Sequence, residues 1–273
     1  MNQARPEQTK PSSWSSWDEW LSSPPGQYVL KWQQAQFDHI VSDIFGYHAL
    51  QIGLPQLQGL KENRMPLQMI LRAPHDRPHE QHAATWQTIS GLPDKLPFAN
   101  QSIDLVLLPH VLEFTDDPHS VLREVNRILM PEGRVVISGF NPASLWGLRQ
   151  YCSHLIGQPY LPREGQFIDL LRIKDWLKLL DFSVDRGRFG CYRLPLRSEA
   201  GMSKMGFLEK AGDRWWPVLG SVFMVSAIKR VSTLTMVGRI DLGKPAKNAQ
   251  LNPVSNLQGH PRSSGMEKLE STE

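Results

Sequence analysis

From residue 49 onward, short apolar runs closed by Gly, Pro, Asn or Asp alternate with stretches of helical spacing. The runs at 49–52, 68–71, 85–89, 104–108 and 134–138 are continuous rather than alternating, as strands covered on both faces require. With helices between them they predict βαβ units and a mostly parallel sheet. Residues 118–129 give the clearest helix: Val121, Leu122, Val125, Ile128 and Leu129 share one face, Asp116 or Asp117 caps the start, and Met130-Pro131-Glu132-Gly133 stops it. A helix-like connection over 142–156, an exposed loop at 158–165 and an amphipathic helix at 172–180 follow. The runs at 182–189 and 221–228 predict two more strands, the last in an edge hairpin closing the sheet. Upstream, Trp14, Trp17 and Leu21, then Leu30, Phe37, Ile40, Val41, Ile44 and Phe45, recur at helical spacing and predict N-terminal helices.

Both ends break the pattern. Residues 1–13 are polar with Pro6 and Pro11, and the chain beyond Leu242 is rich in Asn, Gln, Ser, Gly and Pro. The expected organisation is an N-terminal tail and helices over 1–45, an α/β domain over 46–238 and a flexible tail over 239–273. With 40% hydrophobic and 21% charged residues in 273, disordered, collagen-like and coiled-coil classes are excluded. A formal charge of +3 points to no nucleic-acid partner. Cys152 and Cys191 lie too far apart for a zinc knuckle or a redox pair. No charged head precedes an apolar run, and the longest uncharged apolar stretch, 215–228, is shorter than the roughly 20 residues a bilayer needs. A cytoplasmic location without a membrane span is expected. His75, Asp76, His79, Glu80 and His82 form a dense cluster, but Pro74 and Pro78 forbid one helix presenting the imidazoles together, so no metal is expected. The nine tryptophans read as packing anchors, with a lid over an apolar substrate as the alternative.

The most informative stretch is LPFANQSIDLVLLPHVLEFTDDPHSVLREVNRILMPEGRVVISGFNP, from Leu96 to Pro142. Leu96-Pro97-Phe98 precedes a loop, Ile103-Asp104 opens a strand, Leu112-Glu113-Phe114 follows it, and Met130-Pro131-Glu132-Gly133 leads into the next strand. In order and spacing it resembles the middle of class I S-adenosylmethionine-dependent methyltransferases of the type 11 group, in a little-characterised bacterial subgroup. Residues 46–230 can be laid on that family's fold, a Rossmann-like, seven-stranded, mostly parallel sheet with helices on both faces and an antiparallel edge strand.

The resemblance implies S-adenosylmethionine as cofactor, held at the carboxyl ends of the strands where strand order reverses. Carried over position by position, it places Gln51, Gly53, Leu54, Arg72, Leu92, Pro93, Asp94, His110 and Val111 at the cofactor. The chain departs from the family pattern at three of these places. Gly53 matches the first glycine of the loop after the first strand, but Pro55 and Leu57 replace the next two and Gln51 takes the preceding acidic position. Arg72 stands near the place of the acid that takes the ribose hydroxyls, and Leu92 stands where an Asp is usual, with Asp94 two residues on. His110 is the first candidate general base and Glu113 the second. The implied reaction is methyl transfer to a small-molecule acceptor, with residues 144–166 as its cover and Trp146, Tyr151, Tyr160 and Phe167 suiting an aromatic or lipid-like compound. Asn141 reads as a turn or cap residue, or as a rim residue. The altered loop also admits a non-catalytic binding or regulatory protein on the same fold. A nicotinamide dehydrogenase is excluded because no G-x-G-x-x-G follows a predicted strand.

Overall fold

The continuous apolar runs become strands buried on both faces: β1 (His48–Ile52), β2 (Leu67–Arg72), β4 (Ile103–Pro109), β5 (Leu129–Phe140) and β7 (Val222–Lys229). Two more exposed strands, β3 (Gln87–Ser90) and β6 (Phe182–Gly190), complete a seven-stranded sheet of order β3-β2-β1-β4-β5-β7-β6. The computed structural model describes residues 14–74, 86–156, 160–161, 165–196, 201 and 205–231. All of them lie in one unit ending at Ser232.

Strands β1 to β5 pair in parallel, and β7 pairs antiparallel with both β5 and β6. The apolar run at the end of the fold therefore lies one place inside the sheet. β7 is buried along nearly its whole length, whereas β6, with Asp185, Arg186 and Arg188 exposed, forms the edge. Charges along an unpaired edge discourage pairing with another chain.

One face of the sheet is covered by α3 (Pro118–Ile128) and α5 (Leu170–Leu179). Asp117 caps α3, its carboxylate accepting from the backbone N–H groups of His119 and Ser120 at 3.0 and 3.2 Å. The other face is covered by α1 (Trp14–Ser22), α2 (Pro24–Val41) and α4 (Leu145–Ile156), so the N-terminal helices share a core with β4 and β5.

Two local expectations are corrected. Residues 53–66 form turns, not the helix that strand–helix alternation predicts. Leu54, Leu57 and Leu60 from those turns join Phe37, Ile40 and Val41 of α2 in one cluster, so α2 supplies the cover on this face. Met130-Pro131-Glu132-Gly133 does not separate helix from strand: β5 begins at Leu129, directly after α3. The pairing with β4 jumps from Ile103↔Leu129 to Leu105↔Arg134, so the four residues between bulge outward.

The Leu96-Pro97-Phe98 turn is tied to α3 rather than to the sheet. Glu124 accepts the Leu96 N–H at 3.0 Å, and Arg127 donates to the carbonyls of Phe98 and Leu96 at 2.8 and 3.0 Å. These bonds carry the chain from β3 to β4 and fix the 92–95 turn at the top of the sheet, where Lys95 N–H donates to the Leu92 carbonyl at 3.1 Å.

Candidate functional site

β1 has β2 on one side and β4 on the other, so the chain reverses its direction of travel across the sheet there, and the strand ends separate. A cleft of about 340 Å³ opens at that point. Its floor comes from four adjacent strand ends: Ile52 and Gly53 after β1, Leu71 to Ala73 after β2, Gly91 to Asp94 after β3, and Val111 with Phe114 to Asp117 after β4. Ser120 of α3 lines the remaining side. The strand ends are pinned to one another, since Gly53 N–H donates to the Leu71 carbonyl and Gly91 N–H to that of Arg72, both at 2.9 Å.

Of the cofactor residues implied by resemblance, Gly53, Arg72, Leu92, Pro93, Asp94 and Val111 line this cleft, whereas Gln51, Leu54 and His110 do not. Gln51 is fully buried and its amide works on its own loop. Nε2 donates to the carbonyls of Gly53, Leu54 and Leu57 at 3.2, 3.0 and 2.8 Å, and Oε1 accepts the Gly59 N–H at 2.9 Å. The loop reaches back because Gly53 and Leu54 both adopt left-handed φ, at 68° and 45°. Gly59 must lack a side chain, since a Cβ there would stand 2.9 Å from both Gln51 Oε1 and Leu107 Cδ1. The position occupied by an acid in the family thus holds a loop staple. Leu54 packs into the core and turns away from the cleft.

His110 and Glu113 come together, but in a sealed interior rather than at the cleft wall. His110 is 0% exposed, with Nδ1 2.6 Å from Glu113 Oε2 and Nε2 2.6 Å from Gln33 Nε2 of α2. Glu113 Oε1 accepts the Phe140 N–H, and Gln33 Nε2 also donates to Ser138 Oγ at 3.1 Å. The rings of Phe140, at 4.4 Å, and Trp17, at 5.2 Å between centroids, close over the imidazole. The residue expected as general base therefore lies inside the core, with both ring nitrogens in contact with buried side chains, and not among the residues that line the cleft. Sequence reading passed over Gln33 because it sits 77 residues away from His110 on an otherwise ordinary helix.

Burial pushes the Glu113 carboxyl up from the ordinary carboxylate range, against the lowering by His110 and the Phe140 N–H. The folded state then binds more protons than the unfolded one above that range, so this group's contribution to stability, present at low pH, is lost as pH rises through the raised value. Glu113→Gln keeps an oxygen to accept the Phe140 N–H and removes the titrating carboxyl. The variant is expected to lose less stability than the native chain as pH rises from about 4 to 8, as read by urea midpoints. Parallel profiles would show that Glu113 carries no such proton.

Residues expected to cover an acceptor mostly pack. Trp146 is buried, donates Nε1–H to the Arg193 carbonyl at 2.7 Å and meets Tyr160 edge to face at 5.2 Å, while Tyr151 is exposed. Tyr160 and Leu161 are both buried, so the part of the predicted 158–165 loop within the described residues is not exposed there. Asn141 acts as a turn residue, its Nδ2 donating to the carbonyls of Val218 and Gly220 at 2.8 and 2.9 Å. The 75–82 histidine cluster lies outside the described residues, among which no group of three His, Cys, Asp or Glu could hold a metal. No helix among them is long and apolar enough to cross a membrane. Gly91, Thr115, Asp116 and Ser120 line the cleft without having been singled out for it. A glycine directly after a strand, the signal that marked Gly53, was equally present at Gly91.

A methyltransferase-domain family matches residues 67–137, the stretch that carries β2 to β5. The chain is 32% identical over 220 residues to the uncharacterised protein YafS of Escherichia coli K12, covering 80% of this chain and 83% of that one. It is 30% identical over 91 residues to a malonyl-[acyl-carrier protein] O-methyltransferase of Laribacter hongkongensis, covering 33% and 30% of the two chains. Among solved structures it shares its fold with an S-adenosylmethionine-dependent methyltransferase of Thermotoga maritima, at TM-score 0.53 and 14% identity over 79% of this chain and 95% of that one. The same holds for an S-adenosylmethionine-dependent methyltransferase of Archaeoglobus fulgidus, at TM-score 0.51 and 16% identity over 73% and 94%.

Proposed function

Because the chain belongs to the class I S-adenosylmethionine-dependent methyltransferases, we propose that the cleft at the ends of β1 to β4 holds this cofactor and that the protein methylates a small-molecule acceptor. The observation that carries the reading is the cleft itself: nucleoside-sized, at the strand-order reversal, and open although the usual loop glycines are replaced by Pro55 and Leu57. The residues present fit the group. Gly53 and Gly91 keep the strand ends low, Leu92, Pro93 and Val111 give apolar walls, and Asp94 and Asp116 offer acceptors for amino or hydroxyl groups. When bound, the cofactor supplies an activated methyl group.

The chain's own task is then alignment and exclusion of water, which account for much of the rate when the donor is already activated. The buried His110–Glu113 pair holds the turn after β4, so that Val111 and Phe114 face the cleft. An acceptor that is nucleophilic without losing a proton needs no side-chain base. Calorimetric titration of the full chain with S-adenosylhomocysteine is expected to give saturable binding. Gly53→Val, which puts a β-branched side chain at a left-handed φ beside the cleft, is expected to weaken it at least tenfold. No heat at millimolar ligand would overturn the reading.

One observation favours a second reading, a binding protein that does not methylate. Trp17 packs at a tilt against Phe114, 4.7 Å between ring centroids, and so backs a cleft-lining aromatic with a buried indole instead of leaving it free to move for an acceptor. Saturable binding of S-adenosylmethionine with no methyl transfer from it would select this reading.

A further inference from the structure

We infer that Arg72 makes the β2 end of the cleft an anion subsite, which takes a phosphate carried on the ribose of an adenine nucleotide in competition with S-adenosylmethionine. This rests on reading the cleft as an adenosine site. Arg72 is the last residue of β2, paired with Ser90 of β3, and its carbonyl is held by the Gly91 N–H. The side chain lines the cleft with the residue only 8% exposed. Its Nε and Nη2 are sealed from water and have no hydrogen-bond partner among the described residues.

A guanidinium cannot escape desolvation by losing its proton, and its donors form a rigid fork matched to carboxylate or phosphate. The sealed cation therefore costs stability until an anion meets it. Among the described residues no carboxylate does so. Asp94, Asp116 and Asp117 also line the cleft, yet none of them bonds Arg72 Nε or Nη2, and Asp117 is engaged in capping α3 and facing Arg123 at 3.5 Å.

Position decides which anion. In open α/β sheets that bind adenosine ligands, the end of the second strand meets the ribose; an acid there accepts from the hydroxyls, and an arginine instead accommodates a ribose phosphate. Arg72 replaces the first chemistry with the second. The phosphate belongs on the 2′ or 3′ oxygen, since a 5′ phosphate extends towards Gly53 and the loop after β1.

The test is calorimetry on the full chain with adenosine, its 2′-, 3′- and 5′-monophosphates, inorganic phosphate and S-adenosylhomocysteine. The 2′- or 3′-monophosphate is expected to bind at least about tenfold more tightly than adenosine and the 5′-monophosphate, and to displace S-adenosylhomocysteine. Arg72→Gln should erase the preference, and Arg72→Asp should reverse it while tightening S-adenosylhomocysteine. Far-ultraviolet circular dichroism confirms that each variant is folded. Equal affinity for adenosine and its 2′- and 3′-phosphates, a preference that survives Arg72→Gln, or inorganic phosphate competing as well as the nucleotide would each overturn the subsite. Failure of S-adenosylhomocysteine to bind while a ribose phosphate does would overturn the methyltransferase reading and leave the subsite standing.

Discussion

Trp17→Ala is expected to destabilise the protein by about 3–5 kcal/mol, which for a domain of this size lowers Tm by on the order of 10 °C. The side chain is fully buried, lies parallel to Trp20 at 5.2 Å, and packs against His110 at 5.2 Å, Phe114 at 4.7 Å and Phe140 at 5.9 Å. α1 has only nine residues, too few to be helical without docking, so losing its anchor loosens the whole helix. The indole Nε1 has no hydrogen-bond partner among the described residues, so truncation also removes a small buried cost, which favours the lower part of the range. Free indole should restore part of the lost Tm by filling the space, as apolar cavities bind apolar guests. Affinity for S-adenosylhomocysteine should change less than about threefold, or under 1 kcal/mol, because Trp17 reaches the cleft only through Phe114. An unchanged Tm would mean that α1 does not seal this side of the protein.

Gln51→Ala is the second large effect, and it differs in kind because it removes polar partners rather than volume. Three carbonyls and the Gly59 N–H lose their shared partner in a buried loop. At about 1–3 kcal/mol for each buried group left unsatisfied, and with water able to relieve some of them, the loss is about 3–6 kcal/mol. The loop carries Gly53, so binding of S-adenosylhomocysteine should fall at least tenfold alongside the thermal midpoint. Gln51→Glu separates this account from the family pattern. A carboxylate can still accept from Gly59, but its other oxygen would face the three carbonyls with no hydrogen to give. Introducing the acid usual in the family is therefore expected to destabilise the chain and weaken the ligand. Tighter cofactor binding by Gln51→Glu would instead mean that residue 51 faces the cofactor.

Both predictions concern side chains whose chemistry is plain from the sequence and whose use is not. The apolar runs, the helix over Pro118–Ile128 with its Asp117 cap, and the motif from Leu96 to Pro142 could be read without coordinates. Each depends on periodicity or on neighbours within a few residues, and so does the cleft: strand ends followed by Gly53, Gly91 and Val111 are local features repeated along the chain.

What the tertiary structure decided is which polar and aromatic groups meet across long separations. Gln33 lies 77 residues from His110 and meets its ring in the buried interior, and Trp17 packs against the same ring from a helix near the start of the chain. β7 slips between β5 and β6 because its burial is set by two partner ladders, while the run itself records only that it is apolar. Arg72 shows the same division: the sequence places a cation after the second strand, and only the packed chain reveals that nothing else among the described residues answers its charge. Hydrophobic spacing fixes local faces because it repeats along the backbone. Hydrogen-bond partners and burial are settled by where distant segments come to rest, and no period encodes that.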